Sequence, residues 1–507
     1  MAHTETLEIE RKYDVGPAEV VPDFSGLDGV IGVDGGTVVL EAVYYDLEDR
    51  ALLRHGITLR RRRGGKDEGW HTKFPAGQHR LEVLVPLPGA DEAPPAEVID
   101  LVRVHVRDQN LTPVARLTTT CTITNLIDPT GNVLIELSDD VVDAQDLTTG
   151  VERSWREWEA EAVGVERLST KKQTALLDAV EHLVLNANAS PASGEPKLAR
   201  AMGGVPEMAP LDGKPGSVRH VLSASFREVT AELKTCDLRV RRHQEGALHQ
   251  LRVRTRTLRS MLKTYGHLLD KDQTSDLEGR LQSLGRNLGA ARDAEVMQDL
   301  IREGIARQPQ GTIARHAIRR LEGTAAADYE KAFARVLREL NSAEYFRMLD
   351  ALDDFASRLP LAEGKSNGGK ARSRLPRAVE DQQTRVVKSA RRANREADLD
   401  AQLELLHDVR KRSKRLRYAI RAVAGASGFS FGRTLGKSMK ASEKIQNTLG
   451  IHRDSVLFQQ YVLKSGRAAH RARENSFSYG VLFEAESSIQ RAAEARFRKM
   501  IKQLNSK

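Results

Sequence analysis

The 507-residue sequence predicts a multi-domain α+β protein with a β-rich N-terminal domain and an all-α C-terminal domain. Segments with β-branched residues or period-two alternation dominate residues 1–188. Helical periodicity dominates residues 217–507. The charge divides near the same place, because residues 1–200 hold 21 Lys and Arg against 34 Asp and Glu, whereas residues 201–507 hold 58 against 36.

The composition excludes several classes of protein. With 40% hydrophobic and 29% charged residues, the chain is not fibrous, collagen-like or disordered throughout. Two distant cysteines, Cys121 and Cys236, cannot form a disulfide framework or a structural zinc site. The N-terminus does not resemble a signal peptide, and no stretch approaches about 18 apolar residues. We therefore expect a cytoplasmic protein without a membrane partner.

The N-terminal domain, residues 1–188, contains eight candidate strands. They lie near residues 7–13, 38–46, 57–63, 70–74, 79–85, 112–127, 132–138 and 155–162. Helices are predicted only around 95–107 and 167–186. If the eight strands close into an antiparallel tunnel or barrel, one face of each strand turns inward.

The alternating faces of these strands carry charge. Glu8, Glu10 and Lys12 share one face of the first strand. The later strands add the cations Arg60, Arg62, Lys73, Arg80 and Arg116, and the carboxylates Glu136, Asp140, Glu157, Glu159 and Glu161. Arginine and lysine bind phosphate oxygens, and clustered carboxylates hold Mg²⁺ or Mn²⁺. The predicted ligand is a polyanion together with a divalent metal.

Several spaced motifs resemble the CYTH domain, the family of triphosphate tunnel metalloenzymes. They are Glu-x-Glu-x-Lys at Glu8, Leu-Arg-x-Arg at Leu59, Trp-His-x-Lys ending at Lys73, and the late Glu-x-Glu strand. The resemblance implies an eight-stranded tunnel that hydrolyses triphosphates with a divalent metal, and adenylate cyclases are also known in this family.

The same resemblance implies the roles of individual residues. The triphosphate would be bound by Lys12, Arg60, Arg62, Lys73, Arg80 and Arg116. Glu8 and Glu10, with two of the three late glutamates, would hold the metal that aligns an attacking water. The sequence departs from the expected pattern at Thr118 and Thr120, where further arginines are expected on the face of Arg116.

A breaker-rich segment separates the two domains. Between Asn186 and Ser217 the sequence is rich in Pro and Gly and has little apolar periodicity. We therefore predict an interdomain linker over residues 189–216. A second such segment, Pro360 to Pro376, divides the helical domain into repeats over about 217–358 and 378–507.

The two helical repeats share a pattern of basic residues. His249, Arg252, Arg256 and Arg259 have the same spacing as His407, Arg410, Lys414 and Arg417, 158 residues later. The motif Leu-Gly-x-x-Arg-Asp, which contains Arg292, recurs 161 residues later with Arg453. Two features that recur at similar offsets indicate a duplicated helical bundle.

These basic residues form one-sided stripes on their helices. Residues 238–265 contain eight Lys and Arg and one acid, and residues 407–421 contain seven and one. Lys437, Lys440 and Lys444 add a further stripe. An ordinary solvated helix face mixes both signs of charge, so these stripes favour binding of an external polyanion.

The helical half resembles the CHAD domain through His249-Gln-Leu-Arg252, His407-Asp-Val-Arg410 and the two Leu-Gly-x-x-Arg-Asp motifs. The resemblance implies two four-helix bundles and association with inorganic polyphosphate, including polyphosphate granules. One departure is Thr257, where the second copy has Arg415.

Three hypotheses follow from the sequence. In the first, the helical domain binds polyphosphate and the tunnel hydrolyses its short ends or triphosphate. In the second, the chain is a non-catalytic polyphosphate-binding module with a vestigial or sensory tunnel, as Thr118 and Thr120 would suggest. The third, nucleic-acid binding, is disfavoured because the basic segments have almost no aromatic residues for base stacking. The sequence does not indicate an oligomeric state.

Overall fold

The computed structural model describes residues 4–27, 29–77, 79–86, 93–163, 169–363, 369–396, 398–431 and 453–505. The chain forms two compact units, Met1–Met208 and Ala209–Lys507.

The first unit is built on one antiparallel sheet with the strand order β1-β6-β5-β4-β3-β7-β8-β9-β2-β10. Its strands are β1 (Thr4–Glu8), β2 (Glu10–Asp14), β3 (Ile31–Asp46), β4 (Thr58–Arg63), β5 (Gly69–Ala76), β6 (His79–Pro86), β7 (Thr112–Ile127), β8 (Val133–Asp146), β9 (Glu152–Ala162) and β10 (Ser190–Pro191). Its helices are α1 (Ala51–Arg54), α2 (Ala96–Val106), α3 (Thr170–Asn186) and α4 (Lys197–Ala201). The predicted strands and both predicted helices are confirmed.

The sheet closes on itself through the N-terminal segment. Strand β1 pairs with β6 at one end of the strand order, and β2 pairs with β9 near the other. Only Ile9 separates β1 from β2, so the two form one bent strand that joins both sides of the sheet. The result is the predicted eight-stranded tunnel, with β10 as a short addition.

Apolar residues on the outer face of the tunnel support the strands that carry its carboxylates. Tyr13, Trp158 and Leu137 point outward and pack with Leu177 and Val180 of α3. These residues alternate with the charged positions of β2, β8 and β9. Burial of the outward side chains therefore fixes the inward orientation of the charged ones.

The predicted linker is corrected at its start. Residues 190–201 of that segment contain β10 and α4, and Leu198, Ala201 and Met202 pack on the strands around Tyr44 and Leu117. This part of the segment belongs to the tunnel. Its helix has five residues, which is too short to give a detectable apolar period among the surrounding Pro and Gly residues.

The second unit is helical in its described residues. Its α-helices are α5 (Val218–Arg241), α6 (Ala247–Tyr265), α7 (Lys271–Ala306), α8 (Arg315–Leu340), α9 (Ala343–Ser357), α10 (Ala371–Arg395), α11 (Leu399–Ser427), α12 (residues 453–471) and α13 (Phe477–Asn505). None of the described helices is both long enough and apolar enough to cross a membrane.

Each group of four packed helices takes two helices from each sequence repeat. In one group, α5 and α6 of the first repeat pack with α10 and α11 of the second. In the other, α7 and α8 share a core with α12 and α13, centred on Leu321, Phe458 and Leu482. Because α6 packs against α11, the repeated basic motifs on these two helices meet.

Candidate functional site

One wall of the tunnel lumen carries cations from β4, β5 and β6. Lys73 Nζ lies 2.6 Å from Glu8 Oε1 and 3.7 Å from Glu82 Oε1. Arg60 donates to the Tyr44 hydroxyl at 3.2 Å and lies 3.9 Å from Glu82 Oε1. These contacts bring predicted phosphate-binding residues of β4 and β5 onto one surface beside Glu82 of β6.

Two further arginines of this wall have few carboxylate partners. Arg62 donates to the Asp67 carbonyl at 3.2 Å, and Arg80 donates to the Gly56 carbonyl at 2.8 Å. Burial lowers the pKa of both guanidinium groups. The lumen therefore removes these cations from water without enough negative charge to balance them. A bound anion would stabilise their charged form.

The other wall carries carboxylates from the N-terminal strand, β8 and β9. Glu161 pairs in register with Glu10 on one side and with Glu136 on the other. Burial, followed by the charge of Glu8, raises the pKa of Glu161 to about 8. Glu8 is 4% exposed, and within the described part of the chain its buried Oε2 atom has no hydrogen-bond partner. This end of the lumen has an excess of negative charge.

A second carboxylate group lies on the same wall. Asp140, Glu157 and Glu159 each offer one oxygen, and these oxygens lie within 4.8 Å of one another. The Lys197 ammonium of α4 lies 2.8 Å from Asp140 Oδ2, 2.8 Å from Glu157 Oε1 and 2.7 Å from Glu159 Oε1. Lys12 also pairs with Glu159, and lies 3.2 Å from Glu10.

Lys197 is a lumen residue that the sequence pattern does not indicate. The residue lies inside the predicted linker, and the one available signal is a Pro at position 196 followed by helix-forming residues. Burial lowers the pKa of Lys197, but Glu159, Asp140 and Glu157 raise it well above its usual value. Lys197 is therefore a permanently charged part of the lumen.

The expectation for Arg116 is wrong in its orientation. The register pairs Tyr44 with Ala115, so Ala115, Leu117 and Thr119 share the lumen face of β7. Arg116 is exposed on the opposite face. The same correction applies to Thr118 and Thr120, which are exposed outside the tunnel. They are not lost phosphate contacts, so they do not support a vestigial tunnel.

The helical unit contains a basic cleft of about 420 Å³. Ten cations of the described residues line it and come from both repeats: Arg252, Arg256, Arg259, Lys263 and Arg292 from the first, and Arg410, Lys411, Lys414, Arg415 and Arg453 from the second. The acidic residues that line it in the described part of the chain are Asp293 and Asp454, and His249 is also a lining residue. The cleft therefore unites predicted polyanion-binding residues that are more than 150 residues apart in the sequence.

Several cations of this basic cleft repel one another. Within the described part of the chain, Arg256, Arg410 and Lys414 form no ion pair with a carboxylate. Burial, followed by the charges of Arg256 and Arg410, lowers the pKa of Lys414 to about 8. Burial and nearby arginines also lower the pKa of His249. A bound polyanion would relieve this repulsion.

The remaining predicted residues of the helical unit have different positions. Arg417 lies beside Tyr418 rather than in the cleft lining. Thr257 is buried in the interior of the helical unit, and its hydroxyl donates to the Val253 carbonyl. The backbone of His407 is in α11, but its side chain lies outside the described residues, as do Lys437, Lys440 and Lys444.

Comparisons with known proteins agree with this division. A model of the CYTH domain matches residues 6–183, and a model of the CHAD domain matches residues 224–463. The chain belongs to the CYTH–CHAD family. It is 35% identical over 499 residues to uncharacterized proteins of Mycobacterium tuberculosis strains CDC 1551 and H37Rv, with 95% of this chain and 93% of each relative covered.

Solved structures similar to this CYTH–CHAD chain include PptA from Streptomyces chartreusis, at 20% identity and a TM-score of 0.44, covering 56% of this chain and 98% of that one. The CHAD domain from the plant Ricinus communis is 21% identical, with a TM-score of 0.43, and covers 59% of this chain and 96% of that one.

Proposed function

We propose that this CYTH–CHAD protein binds inorganic polyphosphate in its helical cleft and hydrolyses triphosphate, or short polyphosphate ends, in its tunnel with Mg²⁺ or Mn²⁺. The observation that carries the proposal is the lumen itself, where a wall of phosphate-binding cations faces a wall of carboxylates. This combination suits a phosphate chain and a divalent cation together.

The carboxylate wall fits a hard divalent metal. Glu8, Glu10 and Glu161 would supply the oxygen ligands, because Glu10 pairs in register with Glu161 and, in addition to burial, the charge of Glu8 contributes to the raised pKa of Glu161. The Glu8 Oε2 atom, which is buried without a hydrogen-bond partner among the described residues, also indicates a demand for positive charge. When bound there, Mg²⁺ or Mn²⁺ would polarise phosphoryl oxygens and neutralise negative charge that develops during cleavage.

The side chains of the tunnel would bind and orient the phosphates. Arg62 and Arg80 are partly desolvated guanidinium groups with mainly backbone partners, so they are free to fork onto phosphate oxygens. Lys73 contacts Glu82 on its own wall and Glu8 on the other, and it would contact a phosphate between the two walls. The enclosing strands limit bulk water, which strengthens each of these contacts.

The helical cleft supports the polyphosphate-binding part of the proposal. Among the described residues, ten cations and two carboxylates line the cleft, and this excess of positive charge suits a flexible polymer with one negative charge on each phosphate. Nucleic acid would meet the same charges, but the described cleft lining has no aromatic side chain on which a base could stack.

A non-catalytic tunnel is the second candidate. The observation that favours it is Lys197, whose ammonium contacts three carboxylates that could otherwise hold a metal. This alternative predicts tight phosphate binding in the lumen without turnover.

Phosphate release from tripolyphosphate with Mg²⁺ or Mn²⁺ tests the catalytic proposal. We expect turnover by the full chain and a loss of roughly 100-fold or more in Glu8→Gln/Glu10→Gln, because the metal loses two ligands. The matched control is Glu41→Gln/Glu152→Gln, which removes two exposed carboxylates from strands of the same tunnel. Absent turnover, or equal loss in both variants, would contradict the proposal.

A further inference from the structure

The α4 lysine occupies the centre of a potential metal site. Its ammonium nitrogen lies 2.7 to 2.8 Å from one oxygen of each of Asp140, Glu157 and Glu159. Asp140 is 5% exposed, and its buried Oδ1 atom has no hydrogen-bond partner among the residues that the structure describes. Three carboxylates around one ammonium therefore retain acceptor capacity that Lys197 does not use.

The ammonium and a divalent cation cannot share this site. A metal that contacts the same three oxygens at about 2.0 to 2.6 Å would lie where the Lys197 nitrogen lies. The two cations would also repel each other at that separation. A metal can therefore bind all three carboxylates only when the Lys197 side chain is absent or withdrawn.

The short helix that carries Lys197 is firmly held. Leu198, Ala199 and Ala201 are at most 1% exposed and pack in the tunnel core. At its C-terminal end, Arg153 donates to the Ala201 carbonyl at 2.6 Å, and Arg50 donates to the Met202 carbonyl at 3.2 Å. Withdrawal of α4 from the tunnel would break this packing and these hydrogen bonds, so the backbone of Lys197 stays beside the three carboxylates.

We infer that Lys197 is a built-in substitute for a divalent cation and limits the lumen to metal binding at the Glu8, Glu10 and Glu161 end. The inference extends the proposed function, because it concerns the number of metals that the same lumen accepts. Removing the ammonium leaves three clustered carboxylates with less compensating charge. The vacated position then becomes a new site for Mg²⁺ or Mn²⁺.

Counting Mn²⁺ ions on the metal-stripped full chain tests this inference. Free Mn²⁺ is followed by electron paramagnetic resonance during titration, without substrate. We expect Lys197→Met to bind one more Mn²⁺ per chain than wild type, and Lys197→Arg to bind the same number as wild type. The double variant Lys197→Met/Asp140→Asn is expected to lose the additional ion, because the new site loses a ligand.

Two controls separate this effect from a general change in charge or fold. Lys172→Met removes an exposed ammonium from α3 and is expected to leave the count unchanged. Asp140→Asn alone is also expected to leave the count unchanged, since Lys197 already fills that position. Thermal unfolding of each variant confirms that the tunnel is folded at the titration temperature.

The outcomes distinguish this inference from the proposed function. An equal Mn²⁺ count in wild type and folded Lys197→Met overturns the inference, as does a lower count in Asp140→Asn alone. A wild-type chain that binds no Mn²⁺ contradicts the proposed metal dependence instead. In that case, an additional ion in Lys197→Met would still support the substitution of the metal by lysine.

Discussion

The tunnel lumen and the helical cleft both contain many cationic side chains. Nearby carboxylates balance this positive charge to different extents at the two sites. In the lumen, Lys12, Lys73 and Lys197 each contact at least two carboxylates. In the cleft, Arg256, Arg410 and Lys414 contact none among the described residues. The lumen is therefore a nearly balanced site that suits a metal and a short phosphate chain together. The cleft is an unbalanced site that suits a long polyanion alone.

This difference predicts different physical behaviour at the two sites. Charge pairs that are buried in a lumen are screened little by salt, whereas half-exposed cations that bind a polymer release counterions and are strongly salt-dependent. Mutation, salt and pH should therefore affect the two sites to different extents.

The largest effect is expected from neutralising the centre of the cleft. Arg252→Gln/Arg256→Gln/Arg410→Gln/Lys414→Gln should weaken binding of long-chain polyphosphate by roughly 100- to 1,000-fold, because four phosphate contacts are lost. Calorimetric titration measures the loss. Hydrolysis of tripolyphosphate should change less than about twofold, since the lumen keeps all its charges.

A control with the same charge change is available in the helical unit. Arg302→Gln/Lys331→Gln/Arg347→Gln/Arg491→Gln removes four exposed cations that do not line the cleft. A comparable loss of affinity in this control would mean that net charge, rather than the cleft, attracts the polymer.

The next largest difference between the two sites is expected in how binding depends on salt concentration. Between 50 and 200 mM salt, polyphosphate affinity should fall by about 50-fold if four contacts release counterions with the slope of a single-stranded polyanion. The KM for tripolyphosphate should rise by less than about fivefold, because the lumen pairs are shielded from solvent. Parallel salt dependences would contradict the contrast between a balanced and an unbalanced site.

A smaller, pH-dependent effect is expected from Lys414. Its pKa of about 8 in the free protein means that the side chain is mostly charged at pH 7 and mostly neutral at pH 9. Since a polyanion favours the charged form, affinity should decrease by roughly tenfold as pH rises from 7 to 9. Titrations at fixed ionic strength measure this.

The matching variant for this pH test is Lys414→Arg. Its guanidinium stays protonated across the range, so its affinity should be nearly independent of pH between 7 and 9. If the affinities of wild type and Lys414→Arg for polyphosphate change equally with pH, the pH dependence belongs to another group.

The smallest effect is expected at Arg116. Because this arginine is exposed on the outer face of β7, Arg116→Ala should change tripolyphosphate hydrolysis by less than about twofold. Steady-state kinetics beside Arg62→Ala, which removes a lumen cation, provide the comparison. A large loss in Arg116→Ala would mean that the substrate reaches the outer face.

Much of the fold could be predicted from the sequence because period-two alternation marks both the strands and their charged faces. The alternation predicts that Lys12 and Glu159 lie on the lumen-facing sides of their two strands, and the structure pairs them. Arg116 was misassigned because alternation defines two faces of a strand but not which one turns inward. That choice depends on the register of β7 with β3, which pairs distant segments.

Lys197 could not be predicted for a different physical reason. Helix α4 is stabilised by packing of Leu198 and Met202 against the tunnel, not by its own propensity. In the helical unit, the repeated stripes were visible in sequence, but their union in one cleft depends on the packing of α6 against α11. Repeat detection alone does not predict that contact.

The most direct test of the separation of the two sites is calorimetric titration of long-chain polyphosphate into Glu8→Gln/Glu10→Gln. This variant should bind the polymer within about twofold of wild type, because its cleft is intact and its lumen alone is altered. A loss as large as that of the cleft variant would contradict the account, because it would mean that the polymer is held in the lumen.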